Sequence, residues 1–178
     1  MSKKIDAYQI REIKPEDNHI VSQIIKKVMT EYKCVGVGYS INDPEVEKMY
    51  EAYANEGAVF FVIENETNKK ILGCGGIAPL SESDKETCEL RKMYFLKELR
   101  GYGMGQKLLD ICVGAAIEKG YTKCYLETVS RMTEAGKLYT KNGFKKLSKP
   151  MGNTGHSSCD LQYLKTLKAH TPFEKLLG

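Results

Sequence analysis

Three glycines alternate in Arg100-Gly101-Tyr102-Gly103-Met104-Gly105-Gln106, with an arginine in front of them. A strand pattern, Glu89 to Phe95, runs into this stretch, and an amphipathic helical pattern, Gln106 to Lys119, runs out of it. The first N–H groups of a helix lack intrahelical partners and sit at the positive end of its dipole, which makes that end a seat for an anion. Glycine lets the backbone approach a ligand closely and admits positive φ. The stretch therefore predicts a phosphorylated ligand, held by the N–H groups from Arg100 to Gln106. Arg100 either adds charge or fixes the turn. The alternative is a tight strand-to-helix turn with no ligand.

Spacing narrows the choice of phosphate ligand. A P-loop needs G-x-x-x-x-G-K-[ST], which the chain lacks. A dinucleotide turn needs G-x-G-x-x-G, usually in the first β-α unit, but counting from Gly101 the last glycine falls at Gly105 and the sixth position is Gln106. One feature speaks for a dinucleotide: Glu127 ends the next strand at a distance suited to a ribose contact.

The elements that must position this turn can be read along the chain. Tyr8 to Ile13 alternates as a strand. Pro15-Glu16-Asp17 opens a helix with the apolar stripe Ile20, Val21, Ile24, Ile25, Val28 and Met29. Cys34 to Ile41 reads as a loop. Asp43-Pro44-Glu45 supplies an N-cap, an N1 proline and a first-turn acid for a second helix carrying Val46, Met49, Tyr50 and Tyr53 up to Gly57. Ala58 to Glu64 and Ile71 to Ala78 form a hairpin, the glycines of the second strand marking a bulge or a close backbone approach. Cys88 to Phe95 is the next strand. The helix from Gly105 ends at the C′ glycine Gly120. Lys123 to Thr128 is a strand, Thr133 to Asn142 a short helix, and Phe144 to Leu147 and Asp160 to Lys165 are closing strands. The order β-α-α-β-β-β-α-β-α-β-β implies an α/β (α+β) fold with a mixed sheet and helices on both faces.

The bulk properties exclude several classes. At 178 residues, the chain is expected to form a single domain, residues 1–178. A net charge of +4, carried on scattered lysines, suits an anionic ligand but gives no basic tract for nucleic acid. The six cysteines lie far apart with no C-x-x-C, and there are three histidines, so neither a zinc site nor any other metal is expected. The N-terminus, Met1 to Asp6, has no apolar h-region, and no apolar run is long enough to span a membrane, so the expected location is cytoplasmic.

Arg100-x-x-Gly103-x-Gly105 resembles the R/Q-x-x-G-x-G/A motif of the GNAT superfamily of acetyl-CoA-dependent N-acetyltransferases. Ala135-Gly136-Lys137-Leu138-Tyr139-Thr140-Lys141-Asn142-Gly143-Phe144 is similar to that family's A-x-x-L-Y-x-x-x-G-F segment. The element order agrees from Tyr8 to Lys165. The resemblance implies acetyl-CoA as cosubstrate, with its pyrophosphate on Arg100, Gly101, Tyr102, Gly103, Met104, Gly105 and Gln106. It implies that the backbone of Met93, Tyr94 and Phe95 binds the pantetheine arm as an added strand would. Tyr139 matches the family's general acid, which protonates the leaving thiolate. Glu89 is the candidate base, with a strand glutamate salt-bridged to Arg91 as the alternative. Period-two spacing would put Glu89 on one face with Arg91 and Met93. His156, in the turn-rich stretch Gly152 to His156, would hang over the acceptor pocket and bind substrate or relay a proton. Glu31, Tyr32 and Tyr39 would flank the same pocket and help select the amine. His19 and His170 read as surface residues. The cysteines sit in no nucleophile motif, so direct attack by the amine is expected.

These roles imply acetyl transfer to a primary amine. A small molecule such as an amino acid or a polyamine-like amine is the first choice, and the acids Glu31 and Glu89 suit a cationic acceptor. Acetylation of a protein or peptide is the second enzyme reading. A non-catalytic acyl-CoA sensor is a third, which Tyr139 disfavours. A homodimer is expected from the resemblance alone, and the tail from His170 to Gly178 is either a packed short helix or an interface element.

Overall fold

The computed structural model describes residues 7–168. The expectations about Met1 to Asp6, His170 and the tail to Gly178 lie outside the described residues. A seven-stranded sheet runs in the order β1-β2-β3-β4-β5-β7-β6. Its strands are β1 (Tyr8–Glu12), β2 (Val59–Asn65), β3 (Ile71–Pro79), β4 (Thr87–Phe95), β5 (Lys123–Thr128), β6 (Lys145–Lys146) and β7 (Leu161–Thr166). All neighbours are antiparallel except β4 and β5, which are parallel and joined by the crossover helix α3 (Met104–Glu118). The other α-helices are α1 (Asn18–Glu31), the single turn α2 (Met49–Ala52) and α4 (Thr133–Lys141). The order and the mixed sheet match the sequence expectation.

Each face of the sheet buries its own core. The apolar stripe of α1 packs with Met49, Tyr53, Phe60, Val62 and Cys74 on one side. On the other, α3 contributes Leu108, Leu109, Cys112 and Ala116, which meet Ile63, Leu90, Leu126 and Tyr139. Such two-sided burial explains why β2 reads as a continuous apolar run. Gly76 of β3 lets that strand lie close against β2: a Cβ there would stand 2.3 Å from the Val59 carbonyl oxygen.

The second helix departs from expectation. Instead of one helix to Gly57, the chain makes a 3-10 turn, Pro44–Glu47, breaks at Lys48 with φ −138°, and adds the single turn α2. Asp43 stands at the N-cap position but makes no side-chain capping bond. Its carboxylate is engaged elsewhere, as described below, so the cap that would favour the helix is missing.

Candidate active site

Two departures from regular pairing shape β4. The first is its short contact with β5: the parallel register covers Thr87 to Glu89 against Lys123 to Tyr125. Beyond Glu89 the two strands have no paired register, and a cleft opens between them. Leu90 to Tyr94 line it from β4, Leu126 to Thr128 from β5, Ala135 and Tyr139 from α4. The second departure is a β-bulge. Gly76 faces Arg91 and Cys74 faces Tyr94, so Gly75 of β3 opposes both Lys92 and Met93 of β4. Lys92 sits at φ +55°, uncommon for a residue with a side chain.

The bulge corrects the expectation that Glu89, Arg91 and Met93 share a face. Before it, Cys88 and Leu90 point into the α3 core; after it, Met93 and Phe95 do. Tyr94 turns to the α1 core and bonds Ser40 across 2.9 Å. Strict alternation fails because the extra residue reverses the phase.

At the far end of β4, Gly101 and Gly103 have φ of +84° and +74°, which lets the chain turn into α3. Phe95, Gly101, Gly103, Met104, Gly105 and Gln106 line a second cleft facing Lys137, Leu138 and Lys141 of α4. Both clefts therefore lie between the last part of β4 and α4. Met104 is buried, and Tyr102 is exposed with its ring 6.4 Å from that of Tyr8. The Gln106 amide bonds the Asn142 side chain in both directions, at 2.7 and 2.9 Å, tying the start of α3 to the end of α4.

The Arg100 side chain is not a free cation over the turn. Its Nε and Nη2 donate to the Phe95 carbonyl at 3.0 and 2.8 Å, and it pairs with Glu31 at 2.5 Å. Its guanidinium also lies 5.6 Å from the centre of the Tyr32 ring. These bonds hold Arg100 against the end of β4 and the end of α1. Glu31 and Tyr32 are accordingly placed beside Arg100 and not in the cleft with Glu89. The hydrogen bond from Arg100 lowers the Glu31 carboxyl below the usual range. Positive charge facing the glycine turn comes instead from Lys137 and Lys141. Sequence reasoning passed over these two, although their four-residue spacing puts them on one helix face.

The first cleft holds the remaining candidates. Tyr139 is buried, its ring 5.8 Å from that of Phe144 and 6.1 Å from that of Tyr163. Its hydroxyl has no hydrogen-bond partner among the described residues. Burial pushes its pKa upward, so it stays a protonated donor. Glu89 is buried and accepts a 2.5 Å hydrogen bond from Arg91 Nε. Arg91 is held further by the Pro79 carbonyl at 3.1 Å. Burial raises the Glu89 pKa, against the opposing pull of Arg91. Tyr39 lines the cleft, and its hydroxyl accepts a 3.1 Å bond from Arg131. His19 is exposed.

His156 also lines the cleft, within a polar cluster that the sequence did not disclose. Its Nε2 is 2.8 Å from Asp43 Oδ2, and its Nδ1 is 4.0 Å from Glu127 Oε2. Asp43 also pairs with Lys92, whose side chain is 1% exposed and lies 3.6 Å from Glu45. Burial would raise the Asp43 pKa, but hydrogen bonds from His156 and Lys92 outweigh it and hold the carboxyl below its ordinary value. Glu127 accepts from the hydroxyls of Tyr125 at 2.6 Å and Thr154 at 2.7 Å. It thus faces this cleft and not the glycine turn, where a ribose contact would have placed it. Among the described residues no group of three or more His, Cys, Asp or Glu side chains is arranged to hold a metal.

Two loops roof this cleft and are bonded to each other. Ser158 donates from its N–H to the Gly38 carbonyl at 3.1 Å and from its hydroxyl to the Val37 carbonyl at 2.8 Å. Among the described residues, no helix is long and apolar enough to cross a membrane.

Comparison with known proteins follows the same outline. The family described as "Acetyltransferase (GNAT) domain" matches residues 56–146. YjgM of Escherichia coli (strain K12), an uncharacterized N-acetyltransferase, is 37% identical over 159 residues, covering 89% of this chain and 94% of that protein. A GNAT-family acetyltransferase from Staphylococcus aureus Mu50 superposes with a TM-score of 0.79 at 24% identity, covering 91% of this chain and all of the other. The Salmonella typhimurium protein yncA, solved with its cofactor acetyl-CoA, has a TM-score of 0.70 at 19% identity, covering 92% and 96% of the two chains.

Proposed function

The chain belongs to the GNAT acetyltransferase family, and from that premise we propose that it moves an acetyl group from acetyl-CoA to the primary amine of a small molecule by direct attack. The observation that carries this reading is the parting of β4 from β5 beyond Glu89. It leaves an unpaired strand edge leading from the glycine turn toward a buried phenol and an acidic pocket.

In this reading the cofactor lies along that edge. The pyrophosphate rests on the N–H groups from Arg100 to Gln106, with Lys137 and Lys141 across the groove. The pantetheine arm pairs with the backbone of Met93, Tyr94 and Phe95, whose β5-facing side has no paired strand. Arg100, bonded to the Phe95 carbonyl, keeps the end of this edge in line with the turn. The thioester then lies in the first cleft beside Tyr139. The amine lone pair attacks the acetyl carbonyl, the C–S bond breaks with its electrons on sulfur, and Tyr139 gives its proton to that sulfur. The proton lost by the attacking nitrogen as the amide forms returns the phenol to its neutral form.

Glu89, bonded to Arg91 and buried, holds that arginine in this reading and does not act as the base. The joined roof loops favour an acceptor small enough to enter beneath them, such as a free amine, over a folded protein surface. The same reading takes residues 1–178 as a single domain working in the cytoplasm.

Thiol release from acetyl-CoA, measured against a panel of amines, amino acids and peptides, tests the proposal. Turnover with small amines and little with peptides is expected. Turnover confined to peptides would replace the acceptor class, and tight acetyl-CoA binding with no transfer to any acceptor would make the protein a sensor.

A further inference from the structure

The cluster around His156 carries an inference about the base of the reaction, and it rests on the acetyl-transfer reading above. Asp43 accepts from two groups, the His156 ring and the Lys92 ammonium. Its carboxyl is kept ionised and can only accept, so Nε2 of His156 carries the proton. In the neutral ring, Nδ1 then presents a lone pair. Nδ1 lies 4.0 Å from Glu127 Oε2, too far for a hydrogen bond, so two acceptors stand side by side with no proton between them.

The arrangement is built and does not depend on one loose side chain. The Thr154 hydroxyl bonds Glu127 at 2.7 Å and accepts the His156 N–H at 3.1 Å, so one residue ties the loop to the carboxylate. The loop is pinned again by Met151, whose N–H donates to the Tyr125 hydroxyl at 3.1 Å, and by Asn153, whose N–H donates to the Ser81 carbonyl at 2.9 Å. Of the other charged or titratable groups lining the cleft, Tyr94 bonds Ser40, Tyr39 accepts from Arg131, and the Cys34 thiol donates to the Tyr32 carbonyl. Glu89 is held by Arg91, and Lys92 by Asp43 and Glu45; Cys159 and Tyr139 are neutral, with pKa values raised by burial.

We propose that the acceptor's ammonium docks between Glu127 and His156, and that His156 Nδ1 takes its proton as the general base, with Asp43 fixing the tautomer. An ammonium donates to both acceptors at once and fills the gap between them. One proton passes to Nδ1 and on to solvent, and the freed lone pair forms the C–N bond. Asp43 and Lys92 are positioning residues, since they act through His156. Glu127 recognises the ammonium.

The pH–rate profile of thiol release with the best amine tests this, for the wild type, His156→Gln and Glu127→Gln. His156→Gln is expected to cut kcat about 100-fold at neutral pH with unchanged acetyl-CoA affinity, within the usual range for a lost base. Its rate should climb about tenfold per pH unit, because free amine must now come from solution, a steeper rise than the wild type shows. Glu127→Gln should raise KM for the amine and leave kcat nearly unchanged. On the wild-type chain, ¹⁵N spectra of the histidine rings should show His156 neutral with Nε2 protonated at pH 8, a readout that holds even if a variant fails to fold. A His156→Gln profile identical to wild type, or an Nδ1-protonated or imidazolium ring at that pH, overturns the inference and leaves acetyl transfer standing. A wild type that binds acetyl-CoA and acetylates nothing overturns both.

Discussion

The two arms of the cleft are built from different materials. The arm proposed for the cofactor is mostly backbone: a turn with Gly101 and Gly103 at positive φ, a helix start, and the unpaired edge of β4. The arm proposed for the acceptor is mostly side chains, with Asp43, Glu89, Lys92, Glu127 and His156 meeting from separate parts of the chain. Backbone recognition suits a cofactor common to a family, because it needs few particular side chains. A side-chain pocket can change its amine without disturbing the turn. The two arms should therefore fail in separable ways.

Gly103→Val strikes the cofactor arm hardest. No atom lies within 4 Å of the Cβ it would add, so the damage comes from a β-branched residue at φ +74°. Strain of about 1–3 kcal/mol should weaken acetyl-CoA binding about 5- to 150-fold, read by calorimetry, with the amine KM at saturating cofactor unmoved. A shift in both constants would show that the arms are not separable. Asp43→Ala strikes the other arm. It strips a partner from a buried ammonium and should cost about 3 kcal/mol in urea unfolding, while acetyl-CoA affinity holds.

The same carboxylate gives the acceptor arm an acid sensitivity. The Asp43 pKa is lowered in the folded chain, so its contribution is fully present above the ordinary value of 3.8 and is lost as the pH falls through the lower folded value. Urea midpoints measured down through this window should fall more steeply for the wild type than for Asp43→Asn. Equal slopes would mean that Asp43 is not stabilised by its partners. The smallest effect belongs to Glu31→Gln. This partly exposed pair should be worth less than about 1 kcal/mol, and the Phe95 carbonyl still holds Arg100, so acetyl-CoA affinity should stay nearly constant. A large loss would return Glu31 to the site.

Legibility in the sequence follows the same division. The glycine turn, the hairpin and β5 were readable because local spacing encodes local backbone; β5 runs from Lys123 to Thr128 as its pattern predicts. The bulge was signalled only from across the sheet, by glycines on β3, since the residue that bears it is a lysine. Period two therefore placed Met93 on the wrong face. The Asp43–His156 contact spans 113 positions, and no local rule links them. Asp43 read as a helix cap because Asp-Pro-Glu is a good helix start; Lys92 and His156 take that carboxylate instead. Glu31 and Tyr32 were assigned to the acceptor because they lie near the first loop. What draws them away is a cation remote in sequence, Arg100.

The account stands most directly on the phenol where the two arms meet. Steady-state thiol release should be compared for the wild type and Tyr139→Phe at saturating acetyl-CoA, with cofactor affinity measured alongside. The account predicts a fall in kcat of about 100-fold at unchanged acetyl-CoA affinity, as removal of a general acid should give. Equal kcat values in the two proteins would contradict it.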